Sequence, residues 1–207
     1  MNGDNPQSLN LYVYVENHPL RAVDADGHMS EGAQEDYQRY LNQVSQLGHD
    51  SKSDPLPQQQ VSQAGQDFIK GYEKLSLTVY DASGKRKAGG WTIGYGHKTT
   101  RDAGPITLPE AEALFQGDVA RMASHVSADL NVPVSQNQFD ALVSLRFNAG
   151  ANAITPPVAD LNSTGHATMG DFTNHYITAG GVPSRGLELR RAAEWRIFSE
   201  GVYDASH

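Results

Sequence analysis

The chain contains no cysteine, which excludes disulfides and thiolate metal sites. It also lacks any apolar run approaching about 18 residues, so the sequence offers no transmembrane helix. A basic segment followed by an apolar one is missing from "MNGDNPQSLNLYVYVENHPL", and no secretory signal is expected there. Positive charge is in short supply as well. The net charge is −8, whereas a general nucleic-acid binder wants a strongly basic face. The eight histidines are scattered, none in an H-E-x-x-H arrangement, so no zinc site is expected. Gly94 and Gly96 follow a strand pattern but lack the third glycine and the βαβ setting of a dinucleotide loop.

What is present divides the chain in two. Residues 1–60 hold three Lys/Arg against nine Asp/Glu, and residues 61–207 hold thirteen against fifteen. The acidic surplus therefore belongs to the leader. At 207 residues there is room for one domain of about 150 residues plus an appendage. "HDSKSDPLPQQQ", residues 49–60, is polar and proline-bearing and reads as a linker. Before it, Glu31 to Leu47 fits one short amphipathic helix. These features divide the chain into a leader over 1–30, a helix and linker over 31–60, and a domain over 61–207.

In that domain Val61, Ala64, Phe68, Ile69 and Tyr72 recur at three- and four-residue steps, which predicts a helix ending near Glu73. Leu75, Leu77 and Val79 then alternate with polar residues, "DASGKRKAGG" supplies turn residues, and "WTIGY" reads as a partner strand. Beyond residue 106 the signals are helical. "TLPE" (107–110) and "SQNQ" (135–138) are capping boxes. Phe139, Leu142, Val143 and Phe147 share one face of a helix that stops at Ala149-Gly150. "TMGD" (168–171) opens a further helix, and "LRRAAEWRIF" is the last. The expected class is α+β, mostly helical with a small antiparallel hairpin.

Glu73 falls where a helix runs out, and the negative end of the helix dipole disfavours a second negative charge there. That is the setting a general acid needs. Asp81 opens a polar turn, and two carboxyls in different surroundings make an acid and base pair suited to glycoside hydrolysis. Thr92 has a hydroxyl able to hold a water. Each also has a plain reading, since Asp-Ala-Ser-Gly is a good turn starter without any catalysis. Spacing alone does not decide between them.

The same stretch resembles the active-site signature of the phage-type lysozymes, the glycoside hydrolase family 24 muramidases. It is carried by Glu73, Tyr80, Asp81, Gly84 and "TIGYGH" from Thr92 to His97. It continues through "ITLPEAEALFQGDV", "VPVSQNQFDALVSLRFNAGA" and "GLELRRAAEWRIF", and so covers residues 61–200. The resemblance implies a lysozyme-like fold and cleavage of the β-1,4 bond between N-acetylmuramic acid and N-acetylglucosamine in peptidoglycan, without a cofactor. It implies Glu73 as general acid, Asp81 activating or positioning the water, Thr92 assisting, and an inverting course. Asn148, Arg190 and Arg191 match positions near the family's saccharide cleft or the layer supporting it, and Tyr95 is placed with them as a saccharide contact. His97 reads as structural, hydrogen-bonded or paired with a carboxylate. In the family one residue separates the Tyr from the Asp, whereas Tyr80 and Asp81 are adjacent. A one-residue slip in a strand turns a side chain to the other face, so a bulge or the turn has to restore the direction of Asp81. If it does not, the chain is a wall-binding module that has lost turnover. The longer tip, "KRKAGG", is a cheap insertion. Its Lys85, Arg86 and Lys87 face either peptide carboxylates or only solvent.

The leader carries a second resemblance. "LNLYVYVENHPLRAVDADGH" is similar to the end of an Rhs-repeat core, which precedes a variable toxin domain. Asp24-Ala25 stands where that pattern has Asp-Pro. The resemblance implies export by a carrier without a signal peptide of its own, action in the periplasm or on the wall of target bacteria, and an immunity protein as a partner. Neither membrane insertion nor nucleic-acid binding is expected. A phage endolysin would share the chemistry without such a leader.

Overall fold

The computed structural model describes residues 59–82 and 90–206. The Rhs-like segment, the helix expected over Glu31–Leu47 and the basic hairpin tip lie outside them. Helix α1 (Gln63–Tyr72) leads into a three-stranded antiparallel sheet, β1 (Ser76–Asp81), β2 (Trp91–Gly94) and β3 (His97–Lys98), in that order. Helices α2 (Leu108–Asp129) and α3 (Gln136–Ala149) follow, then a 3-10 turn (Ala151–Ile154) and α4 (Thr155–Thr164). A short α5 (Met169–Thr173), the hairpin β4 (Thr178–Ala179) and β5 (Val182–Pro183), and α6 (Arg185–Glu200) complete the order. The fold is α+β with a helical majority.

The helix starts are set locally. Thr107 and Glu110 exchange side-chain-to-backbone bonds at the head of α2, and Ser135 and Gln138 do so at the head of α3. Both satisfy N–H groups that a helix start otherwise leaves without partners. Once begun, α3 becomes the hub. Every residue from Gln138 to Leu145 is buried, because α1, α2 and α6 all pack on it. Phe68, Phe115, Phe139, Leu142, Phe172 and Phe198 fill the space between them. α4 was not anticipated, and Pro156 and Pro157 open it. They sit in the first turn of the helix, where a missing N–H costs nothing.

One polar staple closes the fold at its base. Asp140, fully buried on α3, accepts the Ser62 N–H (3.0 Å), the Ser62 hydroxyl, Gln136 Nε2 (2.9 Å) and the Tyr203 hydroxyl (2.7 Å). Burial and the Asp140 charge push the Tyr203 phenol up, which keeps it a donor. Gly65 has to lack a side chain, since a Cβ there would lie 2.7 Å from Asp140 Cγ. Where the pattern put Ala64 on the inner face of α1, Gly65 is buried instead and Ala64 is exposed.

Candidate active site

Glu73 is the C-cap of α1, and its N–H donates to the Lys70 carbonyl at 3.1 Å. Its backbone has already left the helix for an extended conformation, which carries the carboxyl off the helix end toward the sheet. About four-fifths of the side chain is shielded from solvent. Oε1 accepts from Arg190 Nη1 at 2.8 Å. Oε2 faces the β2–β3 turn, where a Cβ on Gly96 would stand 3.6 Å away. Gly96 has φ +90°, a conformation that glycine takes without strain. The helix-end argument counted only the negative pole of α1; the fold sets a guanidinium against the same carboxyl.

Arg190 does not reach outward for a ligand. It is buried, lies 4.9 Å from the centroid of the Tyr72 ring, and donates through Nε to Glu194 at 3.3 Å. Glu194 has no exposed surface. Besides Arg190 it takes the Ser144 hydroxyl at 2.8 Å, Arg191 Nη2 at 3.0 Å, and Arg191 Nε on its other oxygen at 2.8 Å. Burial pushes the Glu194 carboxyl up, against the pull of Arg191 and Arg190, and the same burial pushes the Arg191 guanidinium down. Arg191 also donates to Asn148 Oδ1 at 2.9 Å. Arg191 is sealed from solvent and cannot itself meet a sugar, so of the two places open to it the structure gives the supporting one behind the wall. Two carboxylates and two guanidiniums thus form one chain running from Glu73 into the core.

The strand pairing places the other two expected residues. Tyr80 lies opposite Thr92, and Asp81 opposite Trp91. Directly opposed residues of an antiparallel pair share a face, and the next pair takes the other. The register therefore groups Thr92 with Tyr80 and not with Asp81. A bulge does precede Asp81. β1 uses four steps from Ser76 to Tyr80 where β2 uses two from Gly94 to Thr92, so the extra residues lie before the Tyr80–Thr92 pair. Thr92 is buried, with its hydroxyl 3.5 Å from the Tyr80 carbonyl. Asp81 is exposed at the strand end.

The β2–β3 turn is tied to α2 at both flanks of Gly96. Tyr95 donates its hydroxyl to Glu112 Oε1 at 2.8 Å, and His97 Nδ1 lies 2.9 Å from Asp118 Oδ2. Arg121 and Lys70 complete the two clusters, on Asp118 and Glu112. No group of acidic and histidine residues suited to a metal ion occurs among the described residues, and no helix there is long and apolar enough to cross a membrane.

Residues 70–194 match the family model described as phage lysozyme. The chain belongs to the phage lysozyme family. It is 35% identical over 145 residues to an endolysin of Acyrthosiphon pisum secondary endosymbiont phage 1, covering 67% of this chain and 97% of that protein. It is 38% identical over 148 residues to the endolysin of Bacillus phage PZA, covering 69% of this chain but only 56% of that longer protein. Among solved structures, the muramidase domain of SpmX from Asticaccaulis excentricus superposes with a TM-score of 0.57 at 31% identity, covering 67% of this chain and 97% of that one. The chain is accordingly a glycoside hydrolase with a lysozyme-like α+β fold. Glu73 and the Arg190 that holds it both fall inside the matched span.

The sequence reading missed Glu194, Glu112 and Lys70. The spacing of Arg190 and Glu194, four apart on a helix, was the available signal. On a polar-looking final helix it reads as a solvated pair.

Proposed function

We propose that the chain hydrolyses the β-1,4 bond between N-acetylmuramic acid and N-acetylglucosamine in peptidoglycan, with Glu73 as general acid and no cofactor. The placement of the Glu73 carboxyl carries this reading. Arg190 occupies Oε1, so the transferable proton sits on Oε2, the oxygen turned to the β2–β3 turn. From there it passes to the glycosidic oxygen as the bond to the anomeric carbon breaks, and water adds to that carbon from the opposite face. Asp81 takes the proton of that water from the exposed end of β1, and Thr92 steadies the strand beneath it. Asn148 borders the cleft from the end of α3. Digestion of purified peptidoglycan is expected to release fragments with reducing ends at muramic acid in the inverted anomeric form, and Asp81→Asn to slow this by about a hundredfold or more. Binding of the wall with no new reducing ends would leave a binding module in place of the enzyme. Full activity of Asp81→Asn would move the water to another group, as the register of Tyr80 and Thr92 invites.

We infer also that residues 1–30 are the remnant of an Rhs-type carrier, residues 31–60 a helix and linker, and residues 61–207 its wall-degrading toxin end. The observation is the segment from Asn10 to His28. Delivery by such a carrier brings the domain to the periplasm or wall of target cells and calls for an immunity partner in the producer. A strain making the full polypeptide is expected to lyse neighbours that lack that partner, and to spare them once Glu73 is changed to Gln. Equal survival with both forms would remove the toxin reading.

A further inference from the structure

We propose that Tyr95, with Glu112 and Lys70, is a positioning residue for the acid and not a saccharide contact. The inference rests on the assignment of Glu73 as general acid.

Two contacts reach Glu73 from one cluster, through the Lys70 carbonyl and through Gly96. Lys70 sits one helical turn before it, and the Lys70 carbonyl accepts the Glu73 N–H. The Lys70 ammonium pairs with Glu112 of α2 and lies 4.8 Å from the centroid of the Phe115 ring and 5.3 Å from that of Tyr95. Tyr95 donates to the same Glu112 carboxylate and packs edge-on against Phe115, with ring centroids 5.4 Å apart. The residue after Tyr95 is Gly96, the backbone that faces Glu73 Oε2. Glu112 therefore holds both the helix end that carries the acid and the turn that lies over it. Its carboxyl is drawn below the usual carboxylate range, first by the Lys70 bond and then by the Tyr95 bond, while the Tyr95 phenol is pushed up by Glu112. Donor and acceptor thus keep these states through neutrality. The one proton of the Tyr95 hydroxyl, committed in this way, is not spare to donate to a sugar. Loss of the bond frees the turn to drift, and misplacement by about 1 Å is enough to cost up to a hundredfold in rate.

The test is steady-state kinetics on soluble uncross-linked glycan strands with Tyr95→Phe, Glu112→Leu, their double variant and Glu73→Gln, each with its melting temperature. Tyr95→Phe keeps the ring against Phe115 and removes only the hydroxyl. Its kcat is expected to fall about tenfold with KM within about twofold and the melting temperature little changed. Glu112→Leu is expected to show a loss at least as large, and adding Tyr95→Phe to it to cost nothing further, as for two members of one unit. Unchanged kcat in Tyr95→Phe overturns the proposal. So does a raised KM with kcat retained, which would make Tyr95 a sugar contact. Multiplying losses in the double variant overturn the shared route through Glu112. If Glu73→Gln keeps wild-type turnover, the acid assignment itself has failed and the proposal falls with it.

Discussion

Glu73→Gln is expected to lose about a thousandfold in turnover, within the range of a positioned general acid, while melting close to the wild type. The two halves of that expectation come from different atoms. Glutamine keeps an oxygen that can accept from Arg190 Nη1, so the 2.8 Å contact survives and the buried guanidinium keeps that acceptor. What it loses is a proton able to leave Oε2. Glu73→Ala would confuse the two effects, because it strips a buried cation of a carboxylate partner as well. Rates on purified wall material beside thermal melts of the same samples separate them. Turnover of Glu73→Gln within tenfold of the wild type would mean that the leaving group is protonated elsewhere.

Glu194→Leu is expected to have the largest effect on stability, about 3–5 kcal/mol. Glu194 touches no substrate, yet it is the carboxylate on which Arg190 and Arg191 converge. Without it the cluster retains both guanidiniums and only Glu73 to oppose them. The Ser144 hydroxyl also loses its acceptor. In a domain of this size each kcal/mol moves the melting temperature by about 2–4 °C, so a fall of roughly 10 °C should be seen by calorimetry. Glu194→Gln is expected to lose less, as it can still accept from Ser144. Activity should fall in both, because Arg190 then holds Glu73 from a looser seat. A melting temperature unaltered in Glu194→Leu would show that the arginines find other partners.

Features of local origin were legible in the sequence. The end of α1 at Glu73 and both capping boxes depend on neighbours within four residues, and the structure has them where the pattern put them. The features that escaped depend on distant partners. The resemblance placed Arg190 and Arg191 at the cleft or in the layer supporting it, and only the packing of α6 on α3 reveals Glu194 and Asn148 as their partners. Tyr95 was grouped with them as a saccharide contact, and nothing near it in the chain announces its bond to Glu112. The strand register is also long-range information. Adjacency of Tyr80 and Asp81 raised the question of direction, and the pairing of Tyr80 with Thr92 gives it a concrete form.

The buried staple on Asp140 has a consequence for how the domain can travel. Ser62 lies just before the first helix and Tyr203 just after the last, and both bond to the same carboxylate. The chain therefore enters and leaves the fold side by side. A unit with its two ends together can hang from any partner by a single hinge, without that partner having to span it. Such a unit is readily moved as a cassette between polypeptides.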